Sequence, residues 1–181
     1  MGELVMRKSS IGLTKSLWND DKRYIDNYWS VIKDYWVHGD LASRDADGHW
    51  YLHGRSDDTI KVSGKRIGPS ELESVIVKSG KAKEVAAVGI PDENKGSKII
   101  LSIVPAENND QKESFFEDLV IKDLGKSFKP DKVIFVKDLP KTRNMKIMRR
   151  VIKSCLANQD PGDLSTLLNP ESVEEIRSHA I

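Results

Sequence analysis

The sequence predicts an α+β protein: a small three-stranded sheet with helices and a β-hairpin, preceded by a β-rich segment. Three observations predict it. Val85–Ile90 and Ile99–Val104 are short apolar runs closed by Pro91-Asp92 and by Pro105, the mark of buried strands. Leu72, Val75 and Ile76, and then Met148, Val151, Ile152, Cys155 and Leu156, repeat at helical spacing. Residues 1–54 differ from the rest and hold all four tryptophans and all four tyrosines.

The elements follow in order. Glu3–Arg7, Tyr35–His38 and His49–His53 read as short strands. Asp45-Ala46-Asp47-Gly48 supplies a hairpin turn, because Asp and Gly tolerate positive φ. Asp21–Ile32 suits a short helix. So many aromatics in a short stretch suit either a surface that packs on something larger or an ordinary small core. Thr59–Val62 and Lys65–Ile67 flank Ser63-Gly64 as a tight hairpin. Pro69 then opens a helix, since its missing N–H has no helical partner there. Glu71 and Glu73 early, Lys78 and Lys81 late, and Gly80 as C-cap complete that helix. Phe116, Leu119, Val120 and Leu124 share a face of a helix over Glu113–Leu124, ended by Gly125. Val133–Val136 is a third strand. A helix begins near Ile147, residues 158–169 read as a loose linker, and Pro170–Ser178 as a terminal helix.

Composition limits the function. Lys+Arg 29 against Asp+Glu 28 leaves a net charge of +1, which gives no global field for nucleic acid or an anionic membrane. The single cysteine, Cys155, excludes an intrachain disulfide and fits the apolar face of its helix. No apolar run approaches the ~20 residues of a membrane span. The N-terminus lacks a secretory apolar region, so a cytoplasmic protein is the expectation.

Four clusters can carry chemistry, and each has a plainer reading. Val37-His38-Gly39-Asp40 ends a strand with a carboxylate able to accept two hydrogen bonds from a ribose diol; it is also an ordinary turn. Gly54-Arg55-Ser56-Asp57-Asp58 offers an arginine fork for phosphate or ribose and small polar residues at the composition break, suited to a hinge or to a solvated turn. Ser63-Gly64-Lys65-Arg66 lacks P-loop spacing; Gly64 could let an extended ligand lie along the backbone, or the whole could be a decorated hairpin. Leu139-Pro140-Lys141-Thr142-Arg143-Asn144-Met145-Lys146 sets dense positive charge before an amphipathic helix. A loop lysine there could neutralise charge developing in a transition state, or simply bind phosphate.

In this order, the clusters resemble the acyl-adenylate-forming enzymes, and most closely the AMP-forming acetyl-CoA synthetases. Gly2-Glu3-Leu4-Val5, Trp18 with Tyr24-Ile25 and Tyr28-Trp29, the stretch Gly54 to Glu73, Pro140-Lys141-Thr142-Arg143 with Lys146-Ile147-Met148-Arg149-Arg150, and the tail Asp163-Leu164-Ser165-Thr166-Leu167 with Asn169-Pro170 carry the resemblance over nearly the whole chain. It implies that residues 1–54 end a large domain that is incomplete here, and that 55–181 form a mobile C-terminal catalytic domain with its hinge at Asp57. It implies that Asp40 and Arg55 bind ATP or AMP, that Arg66 approaches phosphate, that Ser63 and Gly64 line the CoA tunnel, and that Lys146 is the adenylation lysine. The implied substrates are acetate, Mg²⁺-bound ATP and CoA, with a lysine acetylase and deacetylase as partners at Lys146.

Three positions depart from the family pattern. Met145 stands where glycine usually precedes the lysine, which predicts a stiffer loop. No arginine for the CoA phosphate stands near Ile121-Lys122. Ser79 replaces a histidine, and no metal ligand is predicted. The family's phosphate loop and acyl pocket are absent, so the expectation is a fragment or shortened frame, inactive alone. A propionyl or other acyl-CoA synthetase fragment and a stand-alone regulatory or binding module without catalysis are the alternatives.

Overall fold

The structure is a computed structural model that describes residues 1–107 and 110–181. The chain divides into two compact units, Met1–Asp57 and Asp58–Ile181.

In the first unit three strands, β1 (Gly2–Met6), β2 (Trp36–Arg44) and β3 (Trp50–Arg55), form an antiparallel sheet in the order β1-β2-β3. Between β1 and β2 runs helix α1 (Asp21–Tyr28). Its N-cap is Asp20, whose carboxylate accepts the Arg23 N–H at 3.1 Å and so satisfies one of the helix's unpaired donors. Tyr24 is buried and donates its hydroxyl to the Thr14 carbonyl at 2.6 Å. Tyr28 stacks on Trp36 with ring centroids 5.4 Å apart. Other aromatics stay exposed, among them Trp18 and Trp50.

In the second unit β4 (Ile60–Val62) and β5 (Lys65–Ile67) make the predicted hairpin, and α2 (Pro69–Lys78) starts at Pro69. The Glu71 carboxylate accepts the Gly68 N–H at 3.0 Å, closing the start of that helix. Strands β6 (Ala82–Asp92) and β7 (Gly96–Pro105) pair antiparallel. Helix α3 (Glu113–Leu124) then crosses back, so that β8 (Lys132–Phe135) lies parallel to β7 in the order β6-β7-β8. Helices α4 (Arg149–Leu156) and α5 (Glu171–Arg177) follow.

Alternation along the strands explains why these runs are apolar on both faces, with the buried Ser102 of β7 as the exception. Ile99, Leu101 and Ile103 join Leu72, Ile76 and Phe116 of α2 and α3 in one core. Ile100 and Val104 join Ile152, Leu156 and Ile176 of α4 and α5 in another. A sheet covered on both faces needs apolar residues at every position, not at alternate ones. Cys155 is buried in the second core, and burial pushes its thiol pKa up.

Several expectations need correction: α1 ends at Tyr28 and not at Ile32, and β2 runs on to Arg44. The helix expected from Ile147 starts at Arg149, because Lys141 to Ile147 form a small hairpin first. Residues 158–169 are not a loose linker. The Arg150 guanidinium donates to the Pro161 and Asp163 carbonyls. Leu167 then bridges Thr142, and the Leu168 N–H donates to the Lys141 carbonyl at 2.8 Å. These tethers join residues far apart in sequence, so no local pattern shows them.

Among the described residues no helix is long and apolar enough to cross a membrane.

Candidate functional site

The first unit brings Asp40 and Arg55 together. They face each other in the register of β2 and β3. The Arg55 Nη1 lies 3.5 Å from Asp40 Oδ1 and donates to the His38 carbonyl at 3.1 Å, while its Nε donates to Asp57 Oδ1 at 3.1 Å. Gly39, at φ +83°, makes this crossing possible: a Cβ there would sit 2.7 Å from the guanidinium. The space above that glycine is thus taken by Arg55 within the chain.

His38 was not among the expected site residues. Its Nδ1 lies 2.7 Å from Asp40 Oδ2, and its ring stands edge-on to Trp36 at 5.4 Å. The signal was present, since residues i and i+2 of a strand share a face. The Asp40 carboxylate is therefore held from two sides, one oxygen by His38 and the other by Arg55.

The second unit holds the other expected residues. Ser63 and Gly64, at φ +49° and +79°, form the two-residue turn of the β4–β5 hairpin, in the paired left-handed conformation such turns require. A Cβ on Gly64 would meet nothing within 4 Å, so its outer face is open. Arg66 is exposed opposite Lys61. Ser63 lines a cleft with Lys95, Lys126 and Ser127, while Lys146 lines a different one with Arg143 and Thr166.

Lys146 is exposed at the end of a hairpin turn. The Thr142 N–H donates to the Lys146 carbonyl at 2.9 Å, and the Met145 N–H to the Thr142 carbonyl at 2.8 Å. The Lys146 N–H donates to the Thr142 hydroxyl at 3.2 Å. Met145 sits at φ +61°, a left-handed position that favours glycine.

Both ends of this hairpin are anchored. On one side the Lys141 ammonium, 7% exposed, lies 2.7 Å from Glu84 Oε2 and 2.6 Å from Asp138 Oδ1. Burial works against the Lys141 charge, but these carboxylates outweigh it and hold the pKa above the ordinary lysine value. Burial likewise disfavours the Asp138 carboxylate, yet Lys141, the Leu139 N–H and Asn169 hold its pKa below the usual range. Buried Asn169 accepts the Lys141 N–H at 3.0 Å and donates to Asp138 Oδ2 and to the Leu139 carbonyl. On the other side Arg149 makes a bidentate pair with Glu73 at 2.9 and 2.6 Å, which raises the arginine pKa despite burial. Glu73 Oε1 also accepts the Ala87 N–H of the sheet at 2.9 Å. An exposed lysine thus projects from a fixed base. The residues of that base come from α2, β6, α4 and the connections on either side of α4, which is why sequence spacing missed them.

Residues 71–146 match the AMP-binding enzyme C-terminal domain, the module with which AMP-binding enzymes end. Beyond that module, nearly the whole chain is similar to acetyl-coenzyme A synthetases. It is 41% identical to acetyl-coenzyme A synthetase of Methanothrix thermoacetophila, covering 97% of this chain and 28% of that protein. The acetyl-coenzyme A synthetase of Rubrobacter xylanophilus is 37% identical over 98% of the chain and 28% of its own length. The chain therefore spans little more than a quarter of these relatives. Among solved structures, acetoacetyl-CoA synthetase from Streptomyces lividans shares the fold at TM-score 0.86 and 22% identity, over 98% of this chain and 28% of that one. The amide bond synthetase McbA of Marinactinospora thermotolerans superposes at TM-score 0.71 and 26% identity, over 84% and 30%.

Proposed function

We propose that this chain supplies the mobile catalytic end of an AMP-forming acetate:CoA ligase. The observation that carries the reading is the exposed Lys146, held on an anchored hairpin in a unit separated from Asp40 and Arg55 at Asp57/Asp58.

The chemistry asks for this division. Attack of acetate on the α-phosphate of Mg²⁺-bound ATP brings two anions together. A lysine ammonium touching both lowers the barrier by neutralising charge as it builds. Once pyrophosphate has left, that cation must withdraw so that the CoA thiol can reach the acetyl-adenylate. Rotation of one unit about Asp57 exchanges the Lys146 hairpin for the Ser63-Gly64 turn at the same nucleotide. Asp40 accepts the ribose hydroxyls and Arg55 contacts the same nucleotide, while Arg66 approaches phosphate. Lys146 is also exposed enough to be the target of a lysine acetylase, which would remove its charge.

Acetate-dependent exchange of labelled pyrophosphate into ATP tests the reading. The 181-residue chain alone is expected to give none. Mixing it with the remaining part of a related synthetase should restore exchange, and Lys146→Ala should remove it again. Exchange by the chain alone, or restored exchange indifferent to Lys146, refutes the proposal.

A further inference from the structure

We propose that the face of the hairpin carrying Lys146 is a polyphosphate-binding subsite in which Arg143 and Thr166 grip the leaving pyrophosphate. This deepens the reading of Lys146 given above and rests on it. The contrast among neighbouring cations leads there. Lys141 is paired with Glu84 and Asp138, Arg149 with Glu73, and Arg150 with the Pro161 and Asp163 carbonyls. Among the described residues, the Arg143 and Lys146 side chains have no such acceptor, although both stand on the same short hairpin.

Two like charges three positions apart on a fixed turn repel each other, and an anion between them would relieve that cost. The space for one is present. Thr142, Arg143, Asn144, Lys146, Ser165 and Thr166 line a cleft of about 520 Å³. No carboxylate is in that lining. On the tail, Asp163 accepts the Ser165 N–H at 2.8 Å and has its pKa held below the usual range by that bond and by the Ser165 hydroxyl. The tail side of the cleft is fixed as well, through the Thr142–Leu167 bridge and the Leu168 N–H on the Lys141 carbonyl. A planar guanidinium, an ammonium, a side-chain amide and a hydroxyl on a rigid frame form a donor set for a multiply charged oxyanion. Pyrophosphate is the oxyanion that the proposed first half-reaction releases, with its P–O bond to the α-phosphate broken as the carboxylate oxygen bonds there.

Calorimetric titration of the full chain with magnesium pyrophosphate, and separately with inorganic phosphate, tests this at low salt. Pyrophosphate should bind, and bind more tightly than phosphate. Arg143→Gln should weaken it about ten-fold or more, the loss expected for one charge-assisted hydrogen bond. Thr166→Val should weaken it by a smaller factor, and the remote exposed Lys112→Gln should change nothing. Circular dichroism confirms that each variant is folded. Pyrophosphate that fails to bind, or that binds Arg143→Gln and Lys112→Gln alike, overturns the subsite. If pyrophosphate binds through Arg143 while reconstituted exchange ignores Lys146, the subsite stands and the catalytic reading falls.

Discussion

Met145 shows at the scale of one residue how a position can be forced by its turn. The β2–β3 turn and the lysine hairpin have the same backbone pattern. In the first, the Asp45 N–H reaches the His49 carbonyl, the Gly48 N–H reaches the Asp45 carbonyl, and Gly48 lies at φ +92°. In the second, Thr142, Lys146 and Met145 take the same roles, with Met145 at φ +61°. A side chain in the left-handed region costs about 1–2 kcal/mol, offset in part by the extra chain entropy that glycine loses on folding. Met145→Gly should therefore stabilise the second unit by about 0.5–1 kcal/mol in urea denaturation. Destabilisation would mean that Met145, 60% exposed, makes contacts worth more than its strain. The same comparison shows what was legible. Asp45 to Gly48 announced its turn by composition; Asn144-Met145 did not, because the residue that marks this turn type is missing.

At the scale of elements, the hairpin depends on its two anchors. Lys141→Met would leave Glu84 and Asp138 facing each other without their cation. With both carboxylates partly solvated, the expected loss is about 1–3 kcal/mol, short of the value for a fully buried pair. Hydrogen exchange at the 142–146 amides should accelerate in that variant while the amides of β7 change far less, since the lost contacts belong to the hairpin base. The acid limb of stability should change too. The folded Asp138 pKa is depressed, so its contribution is present above the unfolded value of about 3.9 and is lost as pH falls through the folded value. Lys141→Met should flatten the stability curve below pH ~4; an unaltered slope would show that Lys141 does not hold that carboxylate. The strands and helices of this unit were readable because burial on both faces leaves continuous apolar runs, and burial on one face leaves stripes. The anchors were not, since Glu73, Glu84, Asn169 and Arg149 read singly as solvated polar residues. Only their pairing across the fold gives them a role.

On the scale of the whole molecule, the division at Asp57/Asp58 falls next to the composition break seen in the sequence at residue 54. Gly39 and Arg55 add a local reason for the cluster there, since Arg55 reaches back over the glycine to Asp40 and forward to Asp57. The proposed site residues thus fall into two sets, one on each unit, and a reaction that uses both needs them to meet at one nucleotide. His38→Ala should weaken nucleotide binding in the reconstituted enzyme by freeing one side of Asp40, with little effect on folding because the imidazole is nearly half exposed. A raised KM for ATP with kcat near the parent value is the expected result; a kcat loss with unchanged KM would assign His38 elsewhere.

The most direct test separates the two half-reactions in reconstituted enzyme carrying Lys146→Ala. Pyrophosphate exchange, which needs the cation during adenylation, should fall by about 10²–10³-fold or more, the usual cost of removing one charge-stabilising donor. Thioester formation from supplied acetyl-adenylate and CoA should continue near the parent rate. Equal loss in both halves, or exchange that survives without the lysine, would contradict a cation that works in one half-reaction and then withdraws.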